Sequence, residues 1–166
     1  MNDASYAIRD CTHLDHAQVL RLNLESEHFL SPLALAQLES LHGQSWHCRV
    51  IAQQQLVRGF LLVLREGARY ESVNYLWFAA RYPQFLYIDR IAVDANVRGQ
   101  HLARRLYEDL FARALANDLR RITCEYDTEP PNEASRRFHE RFGFREIGTQ
   151  RTADGKKTVS LQELVL

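Results

Sequence analysis

The chain has 166 residues, 46% of them hydrophobic and 25% charged, which is enough to close one sizeable core and too few for two full domains. Lysine plus arginine and aspartate plus glutamate each number 21, so with neutral histidines the chain carries no net charge, and no global field attracts nucleic acid or an anionic membrane. The three cysteines, Cys11, Cys48 and Cys124, are far apart and lack the paired spacing of a zinc or redox motif, so reduced thiols in a cytoplasmic protein and no metal are expected.

Residues 1–10 contain no basic stretch ahead of an apolar run, and nothing approaches the ~20 apolar residues of a membrane span, so a single domain over residues 1–166, neither exported nor anchored, is expected. Tyr6 to Arg9 alternates like a short strand. From about Leu14 the residues Leu14, Ala17, Leu20, Leu22 and Leu24 form a helical stripe, and Pro32 is read as the opening of a second helix carrying Leu35, Leu38 and Leu41. His47 to Ala52 and Val57 to Leu64 suit an antiparallel hairpin turning at Gln53, Gln54 and Gln55. Residues 65–84, dense in Tyr70, Tyr75, Trp77, Phe78 and Tyr82, read as a partly ordered insertion whose aromatics cage an amine, cap a sheet edge or form a dimer contact. Phe85 to Val93 is a strong strand with its turn at Asp94, Ala95 and Asn96. A helix from about Arg98 to Asn117 then repeats Leu102, Leu106, Leu110 and Ala114 at i, i+4. A strand at Arg121 to Tyr126, a helix at Asn132 to Phe142 and a closing pair, Phe144 to Ile147 with Val159 to Val165, turning at Asp154-Gly155, complete the order. The strand, helix, strand unit at 85–126 requires a parallel pair, so the sheet is mixed.

Two segments carry chemistry. Residues 91–103, IAVDANVRGQHLA, put a strand end, a turn and a helix start together, and a helix start offers unpaired amides and a partial positive charge to a phosphate. Arg98, Arg104, Arg105, Arg113, Arg120 and Arg121 make this the most basic part of the chain. A solvated basic helix behind an ordinary glycine is the plain alternative. In Asn132 to Phe144, Asn132 is a good N-cap, Phe138 and Phe142 form an i, i+4 pair, and Gly143 suits the left-handed position that ends a helix.

Both segments resemble the GNAT superfamily of acyl-CoA-dependent N-acyltransferases. Arg98, Gly99, Leu102 and Ala103 fit its Arg/Gln-x-x-Gly-x-Gly/Ala signature, with His101 where a second glycine usually stands, and NEASRRFHERFGF at 132–144 fits its later helix. The resemblance is clear from about 85 to 147. It implies a mixed, mostly antiparallel α/β sheet of six to seven strands with about four flanking helices and splayed central parallel strands. It also implies acetyl transfer from acetyl-CoA to a primary amine of a small molecule or peptide, by direct attack and without a metal, in a protein that is a possible homodimer. The cofactor residues it implies are Ile91, Ala92, Val93, Arg98, Gly99, Gln100, His101, Leu102, Ala103, Arg104, Asn132, Ser135 and Arg136. His139 stands where the family places a tyrosine acid, and is a proton donor, a hydrogen-bond donor to sulfur or a packing histidine. The general base is Asp89, which shares a strand face with Ile91, or Glu125 on the next strand; each is alternatively a buried carboxylate paired with Arg90 or Arg121. Glu25, Glu27 and His28 are candidates to meet a cationic acceptor. The competing class is a non-catalytic acyl-CoA-binding module, while a nucleic-acid-binding role for the Arg-rich helix conflicts with the neutral charge.

Overall fold

The computed structural model describes residues 5–166, so residues 1–4 of the amino-terminal reading lie outside it. Its mixed, mostly antiparallel strands and five α-helices fall into two packed units, one running to Leu64 and including Arg90–Arg113, the other made of Arg65–Asp89 and Ala114–Leu166.

In the first unit the strand order is β1 (Tyr6–Asp10), β2 (His47–Gln53), β3 (Leu56–Arg65) and the second half of β4 (Leu86–Val93). Val50, Ile51 and Phe60 to Leu64 are fully buried, as central strands with apolar residues on both faces must be. Gln54 takes a φ of 56°, which closes the β2–β3 hairpin one residue more tightly than the glutamine triplet suggests. Gly59 lies so close to β4 that a Cβ there would meet the Ala92 carbonyl oxygen at 3.0 Å. Helix α1 (His16–Glu25) buries Val19 and Leu22. Helix α2 spans Leu35–Gln44, so Pro32 does not open it. Instead, Ser31 ahead of the proline is restrained to extended backbone, and its carbonyl accepts hydrogen bonds from Asn23 Nδ2 at 3.1 Å and from Arg90. Helix α4 (Leu102–Ala116) buries the expected Leu102, Leu106, Leu110 and Ala114 stripe. It begins four residues later than periodicity suggests because Gly99 and His101 have φ of 80° and 58°, which no right-handed helix accommodates.

In the second unit the order is the first half of β4, β5 (Arg121–Glu129), β7 (Thr158–Val165) and β6 (Arg145–Arg151). β4 and β5 are parallel, with Leu86 opposite Ile122 and Tyr87 opposite Thr123, and the other pairings of this unit are antiparallel. The stretch expected to be partly ordered is structured and contains helix α3 (Val73–Ala79), capped by Ser72 Oγ, which accepts the Tyr75 N–H. Tyr75 and Phe78 from α3 pack against Phe85 and Tyr87 in the core. Trp77 lies over Gly148 of β6, where a Cβ would come within 2.9 Å of the indole. Helix α5 (Glu133–Phe142) has Asn132 as N-cap and ends on Gly143 at φ 89°.

Candidate active site

Within the first unit the phosphate-binding candidate is the turn between β4 and α4. Asp94 sits 2% exposed at its start, where Oδ1 accepts the Asn96 N–H at 2.9 Å and Oδ2 accepts from Arg58 at 2.8 Å. These bonds anchor the 3-10 turn Ala95–Val97, whose Val97 is buried. Beyond it Arg98, Gly99, Gln100 and His101 are all exposed. The first bond of the α4 ladder runs from Arg105 N to the His101 carbonyl at 3.1 Å, so the amides of Leu102, Ala103 and Arg104 precede the ladder without an intrahelical acceptor. Three successive donors stand at the positive end of a 15-residue helix, behind a loop with two left-handed residues, an arrangement of the kind that suits an anion. Leu102 is itself buried and contributes to this site only through its backbone. Arg104 is exposed and pairs with Glu108 at 2.7 Å, whereas Arg105 is turned to the Tyr6 carbonyl. Of the later arginines of the basic segment, Arg113 lies over Trp46, Arg120 pairs with Asp118 at 3.8 Å, and Arg121 pairs with Glu163 and lies over Tyr82.

Along β4, Asp89, Ile91 and Val93 are partly exposed while Ile88, Arg90 and Ala92 are buried, the alternation that a period of two dictates. Arg90 is 3% exposed and donates to Asn23 Oδ1 at 2.9 Å, which ties the strand to α1.

The second unit holds the acid–base candidates. Glu125 on β5 accepts a hydrogen bond from Tyr87 Oη on β4 at 2.8 Å through Oε1, while Oε2 is buried without a partner at hydrogen-bonding distance. Burial pushes its pKa up to about 8, with the charge of Asp89 adding to the rise and the Tyr87 hydrogen bond and the nearby Asn74 amide opposing it. Asn74 on α3 is oriented in turn by Gln150 of β6, whose amide donates to Asn74 Oδ1 at 3.0 Å. The Tyr87 phenol, buried and beside this carboxyl, is held well above its ordinary value and stays protonated. Glu125 is thus held by a tyrosine, and Arg121 takes Glu163 rather than this carboxylate.

On α5, Asn132 Oδ1 accepts the Ser135 N–H at 3.1 Å. Arg136 is half-exposed and bridges Glu133 and Glu140 at 2.7 and 2.6 Å. His139 is 4% exposed and packs against Tyr126 and Phe144. Its Nδ1 lies 2.8 Å from the Ser135 carbonyl oxygen, an acceptor only, so Nδ1 carries the proton and Nε2 is the acceptor nitrogen of the neutral ring. Burial lowers its pKa and opposes the imidazolium that a proton-donating role requires.

Tyr87, Asn74 and Gln150 were not singled out by sequence reasoning. Tyr87 was readable, since it sits two residues before Asp89 on one strand face; Asn74 and the Gln150 that orients it come from elements far apart in the chain. The aromatic insertion packs inward at Tyr75 and Phe78, while Trp77 stacks under Arg81 at 3.5 Å on the edge strand β6.

The architecture is a mixed, mostly antiparallel seven-stranded α/β sheet with β4 and β5 parallel, and three amides at the start of α4 have no intrahelical acceptor. The chain belongs to the GNAT acetyltransferase family, whose model matches residues 15–144. A phosphinothricin N-acetyltransferase from Streptomyces coelicolor is 43% identical over 66 residues, which span 40% of this chain and 37% of that one. Among solved structures, Ard1 from Thermoplasma volcanium superposes with a TM-score of 0.78 at 19% identity, over 97% of this chain and 98% of that one. Naa50 from Arabidopsis thaliana, in complex with the bisubstrate analogue CoA-Ac-MVNAL, superposes with a TM-score of 0.74 at 14% identity, covering 98% and 99%. The two structural likenesses establish the fold. Among the described residues no helix is long and apolar enough to cross a membrane.

Proposed function

We propose that the protein, working as one catalytic domain over residues 1–166, transfers the acetyl group of acetyl-CoA directly to a primary amine of a small molecule or peptide. The observation that carries this reading is Glu125, a carboxyl buried beside Tyr87 with its pKa raised to about 8, the range a general base needs to deprotonate an ammonium near neutral pH. Asp89 adds charge to that group and is the alternative base. In the reaction the base takes a proton from the ammonium, directly or through a water, and the freed amine attacks the thioester carbonyl. The C–S bond then breaks, the CoA thiolate leaves and the second nitrogen proton passes to it, giving the amide and free CoA thiol; a thiol of pKa near ~8.5 is a good leaving group and needs little acid assistance.

The pyrophosphate is assigned to the exposed turn Arg98, Gly99, Gln100 and His101 with the amides of Leu102, Ala103 and Arg104, and the thioester arm to the backbone of Ile91, Ala92 and Val93. From the second unit Asn132, Ser135 and Arg136 are assigned to the cofactor. Asn132 has its amide nitrogen to offer, since Oδ1 caps α5. Arg136 gives Nε and one N–H from each terminal nitrogen to Glu133 and Glu140, which leaves two of its five donors for a phosphate. The acceptor reading draws on two similarities, phosphinothricin in the name of the Streptomyces relative and the bisubstrate analogue CoA-Ac-MVNAL in the Arabidopsis complex. Cytoplasmic residence fits three free cysteines, and a homodimer follows from the family resemblance alone.

The test is CoA thiol release with acetyl-CoA against a panel of amino acids, polyamines and peptides with free amino termini. Turnover with one acceptor class, lost in Glu125→Gln, supports the reading. Calorimetric binding of acetyl-CoA with no transfer to any amine replaces it with the non-catalytic module.

A further inference from the structure

Three soft donors meet inside the first unit although they are widely separated in sequence. Cys11 follows β1, His16 opens α1 and His42 lies in the last turn of α2. Cys11 Sγ and one nitrogen of each histidine all lie within 4.8 Å of one another. Cys11 and His16 are each 6% exposed, and His42 is half-buried. The rings stand at 72° with centroids 5.1 Å apart, so His16 Nε2 and His42 Nδ1 face each other at 2.8 Å.

We propose that Cys11 Sγ, His16 Nε2 and His42 Nδ1 form a binding site for a zinc-class thiophilic cation, with water in the fourth position. A thiolate and two imidazoles are the ligand set such an ion prefers, and three protein ligands leave one position open. The frame around them is stiff. Cys11 N–H donates to the Cys48 carbonyl at 2.9 Å, which fixes the Cys11 backbone against β2. The turn from Cys11 to His16 is locked by Asp15, whose Oδ2 accepts the Thr12 N–H at 2.8 Å while both its oxygens take 2.7 Å bonds from Arg9. Tetrahedral zinc, with Zn–N near ~2.05 Å, sets its two nitrogens roughly 3.3 Å apart. The histidine pair therefore opens by about half an ångström on binding, which ring rotation supplies. In the metal-free protein one imidazole N–H bridges the two rings, and that hydrogen bond holds the two nitrogens together until the cation replaces the proton. The predicted effect is a clamp joining the end of β1 to α1 and α2.

The experiment uses untagged, chelator-stripped protein with Zn²⁺ and Co²⁺ as probes. Expected are one equivalent of Zn²⁺ in competition with a chromophoric chelator, a rise in thermal midpoint, protection of Cys11 from alkylation, and a thiolate-to-cobalt charge-transfer band. Cys11→Ser removes the band, and His42→Ala weakens Zn²⁺ by more than the ~10–100-fold typical of losing an outer-shell partner. Cys48→Ala keeps both stoichiometry and band. Because Cys11 is buried and its substitution can impair folding, the half-buried His42 decides the matter: His42→Cys retains binding where His42→Ala, equally folded by circular dichroism, loses it. Absence of a stoichiometric Zn²⁺ equivalent at micromolar concentration, or binding indifferent to both His42→Ala and Cys11→Ser, overturns the assignment.

Discussion

A carboxyl with a pKa of about 8 is mostly protonated at pH 7, so the fraction of Glu125 able to accept a proton grows through the mildly alkaline range. The expected kcat/KM profile rises towards a plateau above about pH 8, and in Glu125→Gln kcat falls by roughly 10²–10⁴ with the rising limb set by this group gone. If Asp89→Asn erases that limb while Glu125→Gln leaves it intact, the base is Asp89. His139 is argued the other way. With Nδ1 bonded to the Ser135 carbonyl and the ring neutral, His139→Phe keeps the packing against Tyr126 and Phe144 and should leave kcat within a few-fold. A large loss of kcat at unchanged acetyl-CoA affinity would restore His139 as the proton donor. Residue identity and the strand pattern were sufficient to name Asp89 and Glu125 as candidates, and the family resemblance named His139. They could not say which of them is buried, because burial depends on neighbours such as Asn74 and Gln150 that the strand pattern does not include.

At the scale of elements, the Asn132 cap located the start of α5 and the apolar run that of β5 at Arg121, whereas periodicity found α4 but not its first residue. Helix α4 shows why: its stripe was visible, yet its start is set by two left-handed residues, and only Gly99 advertises that conformation in the sequence. His101 adopts a φ of 58° at a cost of roughly 1–2 kcal/mol for a residue with a Cβ. His101→Gly is therefore expected to raise stability by up to about 1 kcal/mol in urea denaturation, once the added freedom of glycine in the unfolded chain is set against the relief. Acetyl-CoA affinity is then expected to hold, since the Leu102, Ala103 and Arg104 amides stay in place; a clear drop in affinity would show that the imidazole itself contacts the cofactor. Helix α3 was missed although Ser72 ahead of VNYLWFA is a legible N-cap, because seven residues are too few for a periodic stripe and its aromatics resemble a loop.

For the whole molecule, the order of elements was legible because a strand, helix, strand run with one parallel pair admits few topologies. Side-chain groupings such as Cys11 with His16 and His42, or Tyr87 with Glu125, were not, since no local pattern links positions 26 or 38 residues apart. These groupings set how global stability depends on pH. Asp15, drawn down to about 2 by Arg9, contributes stability that is present above the unfolded aspartate value and lost as pH falls through about 2. His47, lowered to about 4 by burial, favours the folded state fully above its ordinary 6.5 and loses that advantage as pH falls from there. Glu125 has the opposite sign. Its folded pKa of about 8 exceeds the ordinary 4.5, so its contribution is complete below 4.5 and disappears as pH rises through 8. Between 4.5 and 6.5 the glutamate and histidine slopes oppose each other, whereas above 6.5 only the glutamate slope of these three remains. The wild-type urea midpoint should therefore fall between about pH 6.5 and 8.5, and that of Glu125→Gln should stay level, the two curves diverging with the alkaline limb. Parallel curves across this window would mean that Glu125 ionises at the same pH folded and unfolded, and would remove the premise on which it is chosen as the base.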